Sequence, residues 1–81
     1  MKGVKIAVKS YAGYKGEELP RSFIVDGCSI EVIQVASMWT EEDWRDRRNR
    51  RFFRLQGSDA HTYILYYENE SMEWFLVGAK K

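Results

Sequence analysis

The chain has very few of the residues that build covalently or metal-stabilised folds: one cysteine, one histidine and one proline in 81 residues. With Cys28 as the single cysteine, an intramolecular disulfide and a zinc site made of thiolates are both excluded. His61 alone cannot form a cluster of imidazole ligands. A small domain without such cross-links is typical of a reducing compartment, so we expect a cytoplasmic protein.

An excess of charge of one sign is also missing, because the net charge is only +1. A dedicated nucleic-acid-binding domain is usually far more basic. No apolar run approaches membrane-spanning length, and Lys5 and Lys9 interrupt the apolar positions near the start. We therefore expect neither a membrane segment nor a signal peptide. We expect a single small domain over residues 1–81, whose core is built from its many aromatic residues.

No spacing of side chains in this sequence indicates a known catalytic chemistry. Neither Cys28 nor any serine lies in a nucleophile-elbow pattern, and Gly13 and Gly16 fit no nucleotide-binding fingerprint. The consecutive acids 41–43 would splay apart on a helix rather than share a Mg²⁺ ion. We predict a non-enzymatic domain with no catalytic residue, metal ligand or cofactor.

Alternating apolar residues predict β-strands along most of the chain. The predicted strands cover residues 4–9, 22–25, 28–38, 52–56, 62–67 and 72–77. Residues 11–19 are predicted to form a loop. Asp26-Gly27 is a strong signal for a two-residue type I′ turn, and Asn69-Glu70 is predicted to close a second tight hairpin. The alternation breaks at Val32-Ile33, which predicts a bulge.

Residues 40–54, TEEDWRDRRNRRFFR, concentrate four acids and six arginines. Thr40 can cap a helix whose first turn is acidic and whose last turn is basic. Acid–arginine pairs with i,i+4 spacing occur at Glu41–Arg45, Asp43–Arg47 and Asp46–Arg50. These features predict a short solvated helix from Thr40 to about Asn49, with Trp39 and Trp44 packed together as a hydrophobic staple.

The combined pattern predicts a mainly β (α+β) fold. We expect a small antiparallel barrel or roll of five to six strands, similar to an SH3-like barrel, with one short helix between the third and fourth strands. Residues 23–25 and 74–77 are apolar on both faces of their strands. Either the sheet folds over on itself, or the helix or a partner covers the second face. Trp74 alternates with Met72 and Leu76 and is predicted to lie in the core.

Residues after the predicted helix interleave guanidinium groups with aromatic rings. The candidate nucleic-acid contacts are Arg47, Arg48, Arg50, Arg51, Phe52 and Arg54. If Phe53 and Leu55 point into the core, Phe52 and Arg54 point outward, as an exposed ring framed by arginines that can stack a base. In the competing interpretation, Phe52 packs under the helix and the arginines pair with its acids.

These residues lead to two hypotheses about function. The first is a binding or accessory domain that contacts nucleic acid through the basic-aromatic patch. The alternative is a protein-interaction or self-association module, for example a homodimer, that buries the surplus apolar strand faces. No membrane partner is expected.

A series of turn and aromatic positions also carries a resemblance. They are Gly13-Tyr14-Lys15, Pro20-x-x-Phe23, Gly27, Val32-x-x-Val35, Trp39, Tyr63-x-Leu65-x-Tyr67 and Trp74-x-Leu76. Their order resembles a family of small uncharacterised bacterial domains, some of which are associated with Y-family DNA polymerases. The resemblance implies a bacterial cytosolic setting and a connection to DNA transactions. It supplies no catalytic or ligand residue, and residues 40–54 lie outside its pattern.

Overall fold

The computed structural model describes residues 3–12, 18–45 and 48–80, and every regular element within these ranges is a β-strand. The strands are β1 (Val4–Ile6), β2 (Val8–Ala12), β3 (Glu18–Val25), β4 (Cys28–Asp43), β5 (Arg48–Gly57), β6 (Thr62–Glu68) and β7 (Glu73–Lys80). They form one antiparallel sheet in the order β1-β7-β6-β5-β4-β3-β2. The mainly β, antiparallel prediction is confirmed, but the sheet has seven strands rather than five to six.

The first two strands give the sheet its barrel-like curl. Only Ala7 separates β1 from β2, yet β1 pairs with β7 and β2 pairs with β3. The amide of Ile24 also donates a hydrogen bond to the carbonyl of Ala7, at 3.0 Å. One continuous segment therefore joins both ends of the strand order. The alternation at residues 4–9 predicted a single strand and could not show this division.

The predicted loop at residues 11–19 is shorter than the pattern indicated. Tyr11 pairs with Leu19, and Ala12 pairs with Glu18, so both ends of this segment belong to strands. Residues 13–17, which include the Gly13-Tyr14-Lys15 part of the resemblance, lie outside the described residues.

The hairpin predicted at Asp26-Gly27 is confirmed. Both residues have positive φ, 51° for Asp26 and 79° for Gly27, as a type I′ turn requires. Phe23 lies opposite Ile30 across the hairpin. Glycine is favoured in this conformation because it has no Cβ to clash with the backbone.

The hairpin between β6 and β7 is present, but its turn is longer than predicted. Glu68 pairs with Glu73, which leaves residues 69–72 as a four-residue turn rather than a two-residue one. Met72 has a φ of 57° and donates its amide to the Glu68 carbonyl at 2.8 Å. Met72 therefore lies in the turn, and not in the strand to which its alternation assigned it.

Strand β4 is long because it belongs to two different pairings. Its first four residues, Cys28–Glu31, pair with β3, and from Val32 onward it pairs with β5. The register shifts between Val32 and Gln34, which confirms the predicted bulge, and shifts again between Val35 and Ser37. Each bulge bends the strand and increases its twist.

The predicted helix after Thr40 is wrong. Strand β4 runs on to Asp43 and β5 begins at Arg48, while residues 46–47 lie outside the described residues. Acids on one strand face arginines on the next: Glu41 is opposite Arg50, and Asp43 is opposite Arg48. The same charge order therefore suits both a helix with i,i+4 pairs and a hairpin with cross-strand pairs. The hairpin also aligns Met38 with Phe53 and Trp39 with Phe52, which a local helix cannot do.

The core lies on the inner face of the curled sheet. Its buried members are Phe23, Ile30, Phe53, Leu55, Tyr63, Leu65 and Trp74. The rings of Phe53 and Trp74 lie 5.4 Å apart, and those of Phe23 and Tyr63 meet edge to face at 4.9 Å. The inward positions predicted for Phe53, Leu55 and Trp74 are confirmed.

Asp59 holds the turn between β5 and β6. Its carboxylate accepts hydrogen bonds from the Tyr63 hydroxyl at 2.5 Å and from the His61 amide at 3.1 Å. The Tyr63 hydrogen bond is the main cause that lowers the pKa of Asp59. Burial, followed by this same hydrogen bond, raises the pKa of Tyr63 from 10.0 to about 12.

Stability is therefore expected to fall between pH 10.0 and about pH 12. The folded state holds the Tyr63 proton more tightly than the unfolded chain, so this stabilisation is complete below pH 10.0 and is lost as the pH rises through about 12. Urea unfolding measured across this range checks the prediction. Tyr63→Phe should show a shallower decline, although not a flat one, because burial also raises the pKa of Tyr66. Identical declines in the two proteins would contradict the assignment.

Candidate interaction surface

Four aromatic rings cross the outer face of the sheet, on strands β4 to β7. We call Trp39, Phe52, Tyr66 and Phe75 the aromatic ladder, because each lies directly opposite the next in the strand register. The ring centroids are 5.3, 5.2 and 4.8 Å apart along the series. Trp39 and Phe52 are nearly parallel, at 9°. Such cross-strand aromatic pairs stabilise a sheet beyond the area they bury.

The middle of the aromatic ladder is closed to solvent. Phe52 is 1% exposed between its two neighbours in the ladder. At the Phe75 end, the chain at Gly3 packs so closely that a Cβ there would lie 2.7 Å from Cε2 of Tyr66. Phe52 faces outward, as predicted, but its ring is not exposed as the base-stacking interpretation requires. It is buried, as in the competing interpretation, although not under a helix. The ring is buried because the same-face residues on both adjacent strands are also aromatic.

Charged residues border the aromatic ladder on the side of the β4–β5 turn. Arg50 lies between Glu41 and Glu68 in the register, and its Nε is 3.8 Å from Oε2 of Glu68. At the far edge, Lys5 Nζ lies 2.6 Å from Oε2 of Glu73, and Lys5 lowers the pKa of that carboxyl. This part of the outer face is therefore mixed in charge and is not a basic patch.

The structure does not bring the six predicted nucleic-acid contacts into one cluster. Arg47 lies outside the described residues, and Arg48 is described only by its register position opposite Asp43. Strand alternation places Arg50 and Arg54 on the outer face with Phe52, and Arg51 on the opposite face. Of the predicted contacts whose side chains the structure describes, Arg50 and Phe52 line one depression together.

That depression has a volume of about 460 Å³, and five of its seven lining residues are not among the six predicted contacts. Its lining is Glu41, Glu42, Trp44, Arg45, Arg50, Phe52 and Tyr66. Trp44 is 79% exposed at the tip of the hairpin, and the Arg45 guanidinium carbon is 5.9 Å from its ring centroid. The helix prediction hid this pair, because it assigned Trp44 to a staple with Trp39.

In the part of the chain that the structure describes, the second half of β4 has a strand on one side only. We call residues Ser37–Asp43 the open edge of β4: they pair with β5, while β3 pairs only with Cys28–Glu31, and no other strand in the described ranges covers that side. Met38 and Trp39 on this segment are 52% and 37% exposed. Half of the backbone N–H and C=O groups of such a segment point away from β5.

Proteins usually protect a strand edge with lysine, proline, bulges or a covering element. Here the bulges lie at the start of the segment and the acids Glu41 and Glu42 lie near its end. Between them, residues 37–40 read Ser-Met-Trp-Thr and carry none of these protective features. On the open edge of β4, the backbone N–H and C=O groups that point away from β5 can therefore pair with another strand, and exposed apolar side chains lie beside them.

A groove lies where β4 turns away from β3. We call it the β3–β4 groove; its volume is about 540 Å³, and it is lined by Tyr11, Pro20, Arg21, Val32, Ile33, Gln34 and Val35. Ile33 is 62% exposed because the bulge pushes it out of the regular pleat. Four of its lining residues, Val32 to Val35, directly precede the open edge on the same strand, so the groove and the open edge of β4 are adjacent.

Comparison with protein-family models, with curated proteins and with solved structures finds no match for this chain. The resemblance noted in the sequence, and the bacterial and cytoplasmic setting expected with it, therefore stay predictions. No helix in the described ranges is long and apolar enough to cross a membrane.

The remaining reactive side chains are His61 and Cys28. His61 Nδ1 is 3.2 Å from Oδ2 of Asp59 in the β5–β6 turn, and Cys28, at the start of β4, is exposed. Within the described residues, no three side chains of the metal-binding types lie close enough to share an ion. Asp59 and His61 shape the turn, and the absence of enzymatic activity stays a prediction.

Proposed function

We propose that this domain is a protein-interaction module that accepts an extended polypeptide segment along the open edge of β4. The observation that carries the proposal is a seven-residue edge, Ser37–Asp43, which within the described ranges has a strand on one side only, with Met38 and Trp39 exposed beside it. In this mode of recognition, main-chain hydrogen bonds give affinity and the flanking side chains give specificity.

Strand β5 shows which kind of segment suits β4. It places Arg50 opposite Glu41 and Phe52 opposite Trp39. A strand added on the other edge would face the same β4 residues, with the same alternation between the two faces of the sheet. A segment with an aromatic residue opposite Trp39, and with neutral or basic residues opposite Glu41 and Glu42, therefore matches the open edge in apolar character and in charge.

Nucleic-acid contact, the first hypothesis from the sequence, finds less support in this arrangement. Phe52 is buried, and Arg50 lies between two glutamates. The exposed ring beside a guanidinium group is Trp44 with Arg45, at the hairpin tip. Stacking of a base there would have to overcome the repulsion between phosphate groups and Glu41 and Glu42.

A peptide with the sequence of residues 48–55, RNRRFFRL, is expected to bind the domain weakly and in a salt-sensitive manner. Fluorescence anisotropy of the labelled peptide measures this binding, with the protein kept dilute. Replacing the third and fourth residues of the peptide by proline should abolish binding, because one of any two successive N–H groups must point toward β4 and proline cannot donate. Replacing its arginines by glutamate should also abolish it, through repulsion by the acids of β4.

Two methionine variants give a matched pair for this assay. Met38→Lys adds a charge on the open edge of β4, and Met72→Lys adds the same charge in the β6–β7 turn, where Met72 is also exposed. Only Met38→Lys should weaken binding of the peptide. Equal effects of the two variants would count against the open edge. So would a domain that ignores the peptide but binds labelled single-stranded DNA in a manner that depends on Trp44.

A further inference from the structure

We infer that the segment added to β4 is β4 of a second copy of this chain, in an antiparallel, two-fold symmetric pair centred on Trp39. This inference rests on the proposed function, because it names the partner of the same open edge. A two-fold interface uses the same patch on both copies, so the patch must be complementary to itself. Three features of the surface meet that condition.

The first feature is the distribution of charge along the edge. With Trp39 opposite the second copy's Trp39, Met38 faces Thr40 and Ser37 faces Glu41, while Glu42 lies beyond Ser37, beside the bulge at Ala36. The acids of each copy therefore lie opposite neutral residues. A register shifted by two residues toward the tip would place Glu41 opposite Glu41, and like charges directly opposite destabilise a strand pair.

The second feature is the aromatic ladder, which ends at the open edge. Its last member, Trp39, is stacked on Phe52 on one side and is 37% exposed. In the symmetric pair, the second copy's Trp39 lies at the next cross-strand position on the same face. The two ladders then form one continuous row of rings, and the partly exposed member of each copy gains an aromatic neighbour.

The third feature joins the two most exposed apolar regions of this surface. In the same pairing, the hairpin tip of one copy extends past the bulge between Val35 and Ser37 of the other copy, toward the residues that line its β3–β4 groove. Trp44 is 79% exposed at the hairpin tip, and Gln34 lines the β3–β4 groove. The pairing therefore brings each indole to the other copy's groove, which is about 540 Å³ in volume and is bordered by the exposed Ile33.

Charge at the groove agrees with this arrangement. Arg21 lines the β3–β4 groove, and Glu42 precedes the tip that would enter it. One symmetric pairing thus brings together an open strand edge, an exposed indole and an apolar groove with a basic residue. Tryptophan and arginine are the residues most often found to carry binding energy at the centre of protein interfaces.

Sedimentation of the protein over a range of concentrations tests the inference. We expect a reversible monomer–dimer equilibrium, and Trp44→Ala should raise the dimer dissociation constant at least about tenfold, as loss of an interface tryptophan commonly does. Met72→Ala, which changes an exposed residue in the β6–β7 turn, should leave the constant unchanged. A dimer that responds equally to both variants would overturn the inference.

Charge exchange and cross-linking test the register. Arg21→Glu and Glu42→Arg should each weaken the dimer, and the two changes together in one chain should restore it. In a Cys28→Ser background, Trp39→Cys should form a disulfide-linked dimer, because directly opposite strand residues lie within disulfide reach. Self-linking by Thr40→Cys in place of Trp39→Cys would overturn this register.

Failure of the inference can be distinguished from failure of the proposed function. A protein that stays monomeric at every concentration, yet binds the peptide RNRRFFRL in the manner expected above, would overturn the second-copy inference and leave strand addition at β4 standing. A monomer that binds no peptide would overturn both.

Discussion

Trp74→Ala is expected to lower the free energy of unfolding by about 3–5 kcal/mol, the range for loss of a large aromatic side chain from a core. Trp74 is 6% exposed and packs against Phe53 and Tyr67 at ring distances of 5.4 and 5.0 Å. It also lies opposite Ile6 on β1, the strand that joins the two ends of the sheet. A loss of this size approaches the whole stability of a small domain, roughly 5 kcal/mol at the lower end.

Trp44→Ala supplies the control for this measurement. Trp44 is as large as Trp74, but it is mostly exposed at the hairpin tip, so its loss should change the stability of the monomer by less than about 0.5 kcal/mol. Urea unfolding of dilute protein, followed by circular dichroism, compares the two variants with the wild type. If Trp74→Ala unfolds at nearly the same urea concentration as Trp44→Ala, the assigned core is wrong.

Phe52→Ala is expected to cost a similar amount, about 3–5 kcal/mol, although Phe52 faces away from the main core. Its ring is stacked between Trp39 and Tyr66, and its removal would leave a gap in the middle of the aromatic ladder. An exposed phenylalanine on a strand would cost far less to remove. The loss of unfolding free energy in Phe52→Ala therefore distinguishes two interpretations: a ring that is buried in a second layer on the outer face, and a ring that is exposed and can stack a base.

Arg54→Ala is the matched control for Phe52→Ala. Arg54 lies two residues along β5 on the same face, and it is exposed. Its truncation should shift stability by no more than about 0.5 kcal/mol. Should Phe52→Ala prove as mild as Arg54→Ala, the aromatic ladder would not be the second buried layer of this fold.

Local signals in the sequence were sufficient for the elements that depend on neighbouring residues. The Asp26-Gly27 turn, the bulge near Val32 and the inward positions of Phe53 and Leu55 follow from turn chemistry and from alternation, and all were predicted. The helix after Thr40 was wrong for a physical reason. A run of acids followed by a run of arginines can form i,i+4 pairs in a helix or cross-strand pairs in a hairpin. The hairpin forms here because β4 also pairs its apolar residues with β5, which the local sequence does not show.

The candidate surface was harder to predict because it depends on tertiary pairing. The aromatic ladder needs the register of four strands, and the sequence shows only that residues 74–77 are apolar on both faces. The open edge of β4 exists because β4 leaves β3 after Glu31. The break in alternation at Val32-Ile33 predicts a bulge near that point, but it does not show that the strand changes its partner. Among the predicted nucleic-acid contacts, Arg50 and Phe52 do lie together on one face of β5. Arg51 lies on the opposite face, because successive side chains of a strand alternate between the two faces of the sheet.

Backbone hydrogen exchange of β4 tests the central claim most directly, since a free strand edge and an added strand differ in amide protection. We predict that alternate amides of Ser37–Asp43 exchange rapidly in dilute protein, because they point away from β5. They should become protected when the concentration is raised or the peptide RNRRFFRL is added, while the amides of β6 stay slow throughout. Slow exchange of all the β4 amides in dilute protein without peptide would show that the edge is already covered, and would contradict the account.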